Sequence, residues 1–196
     1  MWENEIEAIE GRHLDIKAAD LVFIGSSSIA LWESLKRDFA PYTVVQAGFG
    51  GSRIADAITY HDRLINRYHP KIVVLFSGTN DLCGDESTAT PAYVAESIAQ
   101  LMKLVHLENP DTVRIVLPIT PTPSRAHVRH LVDEANGLIH RYALREGYRV
   151  VDTASTVLIE TTPDPACFVE DQLHLSPLGY KKWVTVLRPI IDDLLR

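Results

Sequence analysis

Five short runs of valine, isoleucine and leucine punctuate the chain, each after a more polar stretch of helix length: Leu21–Gly25, Thr43–Gly48, Lys71–Gly78, Val113–Ile119 and Tyr148–Asp152. Unbroken apolar runs of this length predict strands buried on both faces. Between the second and third, Ile54, Ala57, Ile58, Leu64 and Ile65 recur at helical intervals and predict helix across Arg53–Tyr68. The opening segment Trp2–Ala18 sets Trp2, Ile6, Ile9 and His13 on one side, which predicts a helix packed on the sheet edge. A final helix is marked by Ser176 as cap, Pro177 in the first turn and an apolar stripe from Trp183 to Leu194, with a kink expected at Pro189.

Strand and helix therefore alternate, and right-handed crossovers convert that alternation into a parallel sheet with helices on both faces. The expected class is α/β, a three-layer α/β/α sandwich around five parallel strands. No Gly/Ser linker, internal repeat or shift in composition interrupts residues 1–196, so one domain is expected.

Composition narrows the partners more than the fold. Nineteen basic residues against 26 acidic give a formal charge of −7, which offers no positive field to phosphate backbones or anionic lipid. Nucleic acid is not an expected partner. The acidic start MWENEIEAIEGRH and the lack of 18 consecutive apolar residues predict no stable membrane insertion and a cytoplasmic location. Two cysteines, Cys83 and Cys167, fit reduced thiols better than a disulfide framework.

In open α/β sheets, reactive groups gather in the loops at the carboxyl ends of the strands. The first such loop holds Ser26, Ser27 and Ser28 ahead of apolar helix residues, a seat for a nucleophile or simply a helix cap. The second holds Gly50 and Gly51, where backbone N–H groups can approach a ligand or only form a turn. The third ends in Ser77-Gly78-Thr79-Asn80-Asp81, and the Asn80 amide is a side-chain donor of the kind an oxyanion needs. Near the C-terminus, Asp171-Gln172-Leu173-His174 delivers an acid and an imidazole together before the last helix.

Taken in order, FIGSSSI, QAGFGGS, SGTND and DQLH resemble blocks one, two, three and five of the SGNH hydrolases, also called the GDSL esterase and lipase family. The resemblance implies a flavodoxin-like fold and a serine esterase acting on small acyl or acetyl esters, acetylated carbohydrate and lysophospholipid among them, through an acyl-enzyme. It implies Ser27 as nucleophile, His174 as general base and Asp171 as its orienting acid. The oxyanion donors it implies are the backbone N–H groups of Ser27 and Gly51 and the Asn80 amide. The partner implied is a small-molecule ester, with no metal or organic cofactor. Two positions depart from the family pattern: Ser26 stands where the family has Asp, and Gln46 where many relatives have Asn, a change expected to alter how the second loop is braced.

Two other readings compete. A flavodoxin-type module would hold phosphate or flavin on the serine-rich loop, but it gives no role to Asn80 or to DQLH. A catalytically silent relative would keep the fold alone. His127, His130 and Glu134 read as a solvated helix face and not as metal ligands, and Cys83, with no obvious basic neighbour, reads as a bystander. Arg53 and Arg125 stand near crevice loops, where they either solvate the surface or meet an acidic substrate.

Overall fold

The computed structural model describes residues 1–196. In chain order the elements are helix α1 (Glu3–Arg12), strand β1 (Leu21–Gly25), helices α2 (Ser27–Ala30) and α3 (Leu35–Asp38), and strand β2 (Val44–Gly48). Helices α4 (Ile54–Thr59) and α5 (His61–Leu64), strand β3 (Ile72–Phe76) and helix α6 (Pro91–Glu108) follow. Strand β4 (Val113–Val116), helix α7 (Arg129–Glu146) and strand β5 (Arg149–Val150) come next. The chain closes with the strands β6 (Leu158–Ile159) and β7 (Thr162–Pro163) and helix α8 (Pro177–Leu194).

Strands β1 to β5 form one parallel sheet in the order β2-β1-β3-β4-β5. This is the α/β sandwich expected from the alternation, with its topological switch beside β1, where the connections on the two sides diverge and a crevice opens. Side-chain alternation divides the core in two. Val22, Ile24, Val73 and Leu75 point into a cluster shared with α1, α4, α6 and α7. Leu21, Phe23, Val74 and Phe76 point into a second cluster with Ile29, Trp32, Trp183 and Leu187. Both faces are buried at β1 and β3, which is why they read as continuous apolar runs, whereas β5 differs from expectation: it is an edge strand of two residues with Arg149 exposed and Val150 half-buried.

Several boundaries differ from expectation. The first helix stops at Arg12 and does not reach Ala18: the His13 ring takes the Ile9 carbonyl at 2.9 Å, the acceptor its own backbone N–H would use in a continuing helix. The predicted helix across Arg53–Tyr68 is broken after Thr59 by a similar event, since the His61 ring binds Ile58 O at 2.7 Å. Pro118 cannot donate to a ladder, so β4 ends at Val116. Beyond it the Asn136 side chain of α7 takes the place of a strand, bonding Ile119 N and O at 2.8 and 2.9 Å. Helix α8 starts after Ser176 and ends at Leu194 with Pro189 inside it, in line with the expected stripe, while the β6–β7 hairpin has no apolar run long enough to announce it.

Candidate active site

The carboxyl ends of β1, β2 and β3 bring three loops together, and the segment before α8 reaches over them. Ser27 opens α2 directly after β1. Its Oγ lies 2.8 Å from His174 Nε2, and His174 Nδ1 lies 2.6 Å from Asp171 Oδ2. Neither Ser27 nor Ser28 caps the short helix with its side chain; the capping position is Ser26, which is buried and makes no side-chain cap bond.

Asp171 is fixed before it meets the ring. Its Oδ1 accepts the backbone N–H groups of Leu173 and His174 at 2.8 and 2.9 Å, leaving Oδ2 for the imidazole. Gln172 adopts a left-handed φ of 56°, an uncommon conformation for a non-glycine residue, and so turns the tight loop back on itself. Partial burial tends to raise the Asp171 carboxyl pKa, but the His174 ring bond, the two backbone N–H bonds and the ring's charge outweigh it and bring it down to about 2. The acid is therefore ionised at any working pH.

The second loop passes over the serine. A Cβ placed on Gly50 would lie 3.8 Å from Ser27 Cβ, and Gly51 has φ +83°, which L side chains rarely adopt. Trp2, just ahead of α1, packs its ring edge against Gly51 and meets Phe49 edge to face at 5.5 Å. Asn80 is half-buried and donates from Nδ2 to Ser52 O at 3.0 Å, which orients its amide and leaves one N–H on the same nitrogen.

Residues outside the expected catalytic set hold these loops together. Asp81 is buried and its carboxylate accepts Ile54 N at 3.2 and 3.3 Å, tying the third loop to the end of the second. Burial pushes its pKa up to about 6 against the opposing effects of the Ile54 N–H and the Arg53 charge. Gln46, the second departure from the family pattern, reaches α2. Its Nε2 donates to the carbonyls of Ile29, Ala30 and Trp32 at 2.7, 3.3 and 3.1 Å, satisfying the C-terminal end of α2. The Tyr180 hydroxyl donates to Ser28 O at 2.8 Å while its ring stacks on Trp32 at 4.9 Å. Asp81 was marked only by its position next to Asn80 and Gln46 only by its departure from the family pattern, whereas Tyr180 acts across the fold and leaves no local signal.

The circuit closes through the fourth loop. Arg125 donates to Thr79 O and, at 3.5 Å, to Asn80 Oδ1, while Ser124 N donates to Gln172 O at 3.1 Å. Arg53 is spent elsewhere, on Ser87 O at 2.8 Å and Ser87 Oγ at 2.5 Å. It also gives Cys83 the basic neighbour that the sequence had not suggested, with Nη2 3.7 Å from Sγ. Both cysteines are free thiols.

Serine, imidazole and carboxylate thus stand in one hydrogen-bonded line, with the Gly50 turn beside Ser27 and the Asn80 amide bonded to the second loop. The profile of the GDSL-like lipase/acylhydrolase family aligns with residues 25–182, from the end of β1 into α8. The chain belongs to this family. Its fold agrees with three solved structures in particular. A GDSL-like lipase from Bacteroides thetaiotaomicron is 19% identical with a TM-score of 0.79, over 98% of this chain and 96% of that one. A lipase/acylhydrolase from Enterococcus faecalis is 19% identical with a TM-score of 0.71, over 88% and 95%. An acetylxylan esterase from Geobacillus stearothermophilus is 16% identical with a TM-score of 0.69, over 90% and 95%. At these identities the likeness speaks for the fold. No curated protein sequence matches the chain. No helix is long and apolar enough to cross a membrane.

Proposed function

We propose that this GDSL-family acylhydrolase is a serine esterase of small carboxylic esters, with Ser27 as nucleophile, His174 as general base and Asp171 as the acid that orients it. The observation that carries the reading is the unbroken line from Ser27 Oγ to His174 Nε2 at 2.8 Å and from His174 Nδ1 to Asp171 Oδ2 at 2.6 Å. With Asp171 ionised and held by two backbone N–H groups, the ring carries its proton on Nδ1 and offers the Nε2 lone pair to the serine.

In the forward step Ser27 Oγ bonds to the ester carbonyl carbon as its proton passes to His174 Nε2, and the carbonyl oxygen becomes an oxyanion. The N–H groups of Ser27 and Gly51 and the free Asn80 N–H face that charge. Collapse of the intermediate breaks the bond to the alcohol oxygen, which takes the proton from His174. Water then repeats the sequence on the acyl-enzyme and releases the carboxylic acid. A positioned base contributes about 10²- to 10⁴-fold, and each oxyanion donor about 10²- to 10³-fold.

Acetyl and other short acyl esters are the proposed substrates. One structural neighbour is an acetylxylan esterase, and an acetylated carbohydrate falls within the proposed class. The test is turnover of 4-nitrophenyl acetate. The wild-type protein hydrolyses it, while Ser27→Ala and His174→Ala lose turnover and keep the wild-type circular dichroism spectrum. A His174→Ala protein at the wild-type rate removes the imidazole from the mechanism.

A further inference from the structure

Arg125 reaches the site yet has no part in the steps above, and the space on its far side is distinctive. It lines a cavity of about 210 Å³ beside the third loop, together with Thr79, Thr120, Thr122 and Arg129 and closed by the β6–β7 hairpin at Pro163. Both formal charges on this wall are positive and no carboxylate lines it, in a chain whose net charge is −7. Arg129 is already matched, its Nε 2.7 Å from Asp133 Oδ1 and its Nη1 donating to Thr161 O at 2.8 Å. Arg125, half-buried, touches only neutral oxygens, Thr79 O and Asn80 Oδ1. A guanidinium has five N–H donors in a planar fork suited to a carboxylate or a phosphate, and this one has no anion.

The inner wall lies close to the site described above. The hydroxyls of Thr79, Thr120 and Thr122 are buried and have no hydrogen-bond partner in the protein, and Thr120 and Thr122 are only 4% and 5% exposed. These hydroxyls are closed off behind the cavity surface, so the charged donor that the cavity itself offers is the Arg125 guanidinium. The same threonines border a smaller space beneath Ser28 and Leu173, so the wall stands directly against the Ser27 turn and the loop carrying His174. Leu82, Ile119 and Val132 supply the apolar surface that a carbon skeleton would cover.

We propose that this cavity is a subsite for acidic esters: it receives the part of the substrate bearing a carboxylate or phosphate group, which pairs with Arg125, while the ester lies over Ser27. The inference rests on the esterase reading and names the class of substrate for that site. The anion can sit on either side of the ester bond, so matched pairs separate the cases. On the acyl side, mono-4-nitrophenyl glutarate is compared with 4-nitrophenyl valerate. On the alcohol side, 4-acetoxybenzoate and 4-acetoxyphenyl phosphate are compared with methyl 4-acetoxybenzoate.

The charged member of at least one pair is expected to have a kcat/KM about tenfold higher or more, the scale of one charge-assisted contact. Arg125→Gln should bring that ratio to within about twofold of unity; because the ratio is taken within one variant, any effect on Asn80 cancels. Should Arg125→Gln fail to fold, wild-type inhibition decides: glutarate should inhibit about tenfold or more below the concentration needed for its diamide, and equal inhibition overturns the proposal. Equal kcat/KM across all pairs, with the neutral esters turned over, overturns the subsite and leaves the esterase standing. So does a preference that survives in Arg125→Gln. Absence of turnover with every ester overturns the parent reading, and this inference with it.

Discussion

His174 is held at both nitrogens, and each neighbour is held in turn. Its partners, a serine hydroxyl on one nitrogen and a carboxylate on the other, set it apart from His13, whose ring nitrogens meet only the backbone groups of Ile9 and Gln46, and make its loop the informative feature. The Asn80 amide is oriented the same way, by Ser52 O on one side and Arg125 on the other. Asn80→Ala should lower kcat by about 10²- to 10³-fold with little change in KM, read from steady-state hydrolysis of 4-nitrophenyl acetate. A change confined to KM would make Asn80 a binding group only. Asp81 gives a prediction about stability. Its pKa is raised to about 6 in the fold from an ordinary value near 3.8, so between those limits the native state holds a proton that the unfolded chain has released. Stability from this group therefore falls as pH rises from about 4 to about 6 and is level above. Asp81→Asn keeps an acceptor for Ile54 N and removes the titration, so its stability relative to wild type should increase across that window in chemical denaturation curves. A difference independent of pH would show that Asp81 does not titrate there. At this scale the sequence displayed the reacting letters but not their braces. Asn80 and the pair Asp171 and His174 stand in short motifs, whereas Gln46, Tyr180 and Arg125 act on partners distant in sequence.

Helix α2 is one turn long and could not hold its shape alone, because every residue in it lies within reach of a frayed end. Three outside supports fix it: the Gln46 amide on its last carbonyls, the Tyr180 hydroxyl on Ser28 O, and the end of β2 packed against its backbone. The last is the tightest. A Cβ on Gly48 would stand 2.2 Å from Ala30 N, so β2 and α2 can meet only through glycine. Gly48→Ala is expected to destabilise the protein and to reduce turnover beyond its effect on stability, because the strain falls on the turn that carries Ser27. Melting temperature and kcat measured together check this, and a variant with both unchanged would contradict it. Tyr180→Phe is the milder version, removing a single hydrogen bond at a cost of about 1 kcal/mol. Strands β1 and β3 were legible because both their faces are apolar and buried. The breaks after Arg12 and Thr59 were not, since in each case an imidazole took a helix carbonyl and periodicity has no term for that competition.

Around the whole molecule, the site is a ring of loops, each tied to the next. Phe49 N bonds to Gly25 O, Asn80 to Ser52, Arg125 to Thr79, Ser124 to Gln172, and His174 to Ser27. Elements from both core clusters feed the ring, which favours residues 1–196 folding as one unit, as proposed from the lack of linkers. One calorimetric transition is expected, with van't Hoff and calorimetric enthalpies equal; two resolved transitions would divide the chain. The parallel sheet and its layers could be read from alternation alone, and the loops at strand ends located the crevice. What alternation could not supply was which of three adjacent serines faces the imidazole, because one residue of register on a tight turn decides it. Fluorophosphonate labelling answers that question most directly. The reagent should modify one serine, and mass spectrometry of the digested protein should place the adduct on Ser27, with no labelling in His174→Ala. An adduct on Ser26 or Ser28, or a wild-type protein left unmodified, would contradict the account.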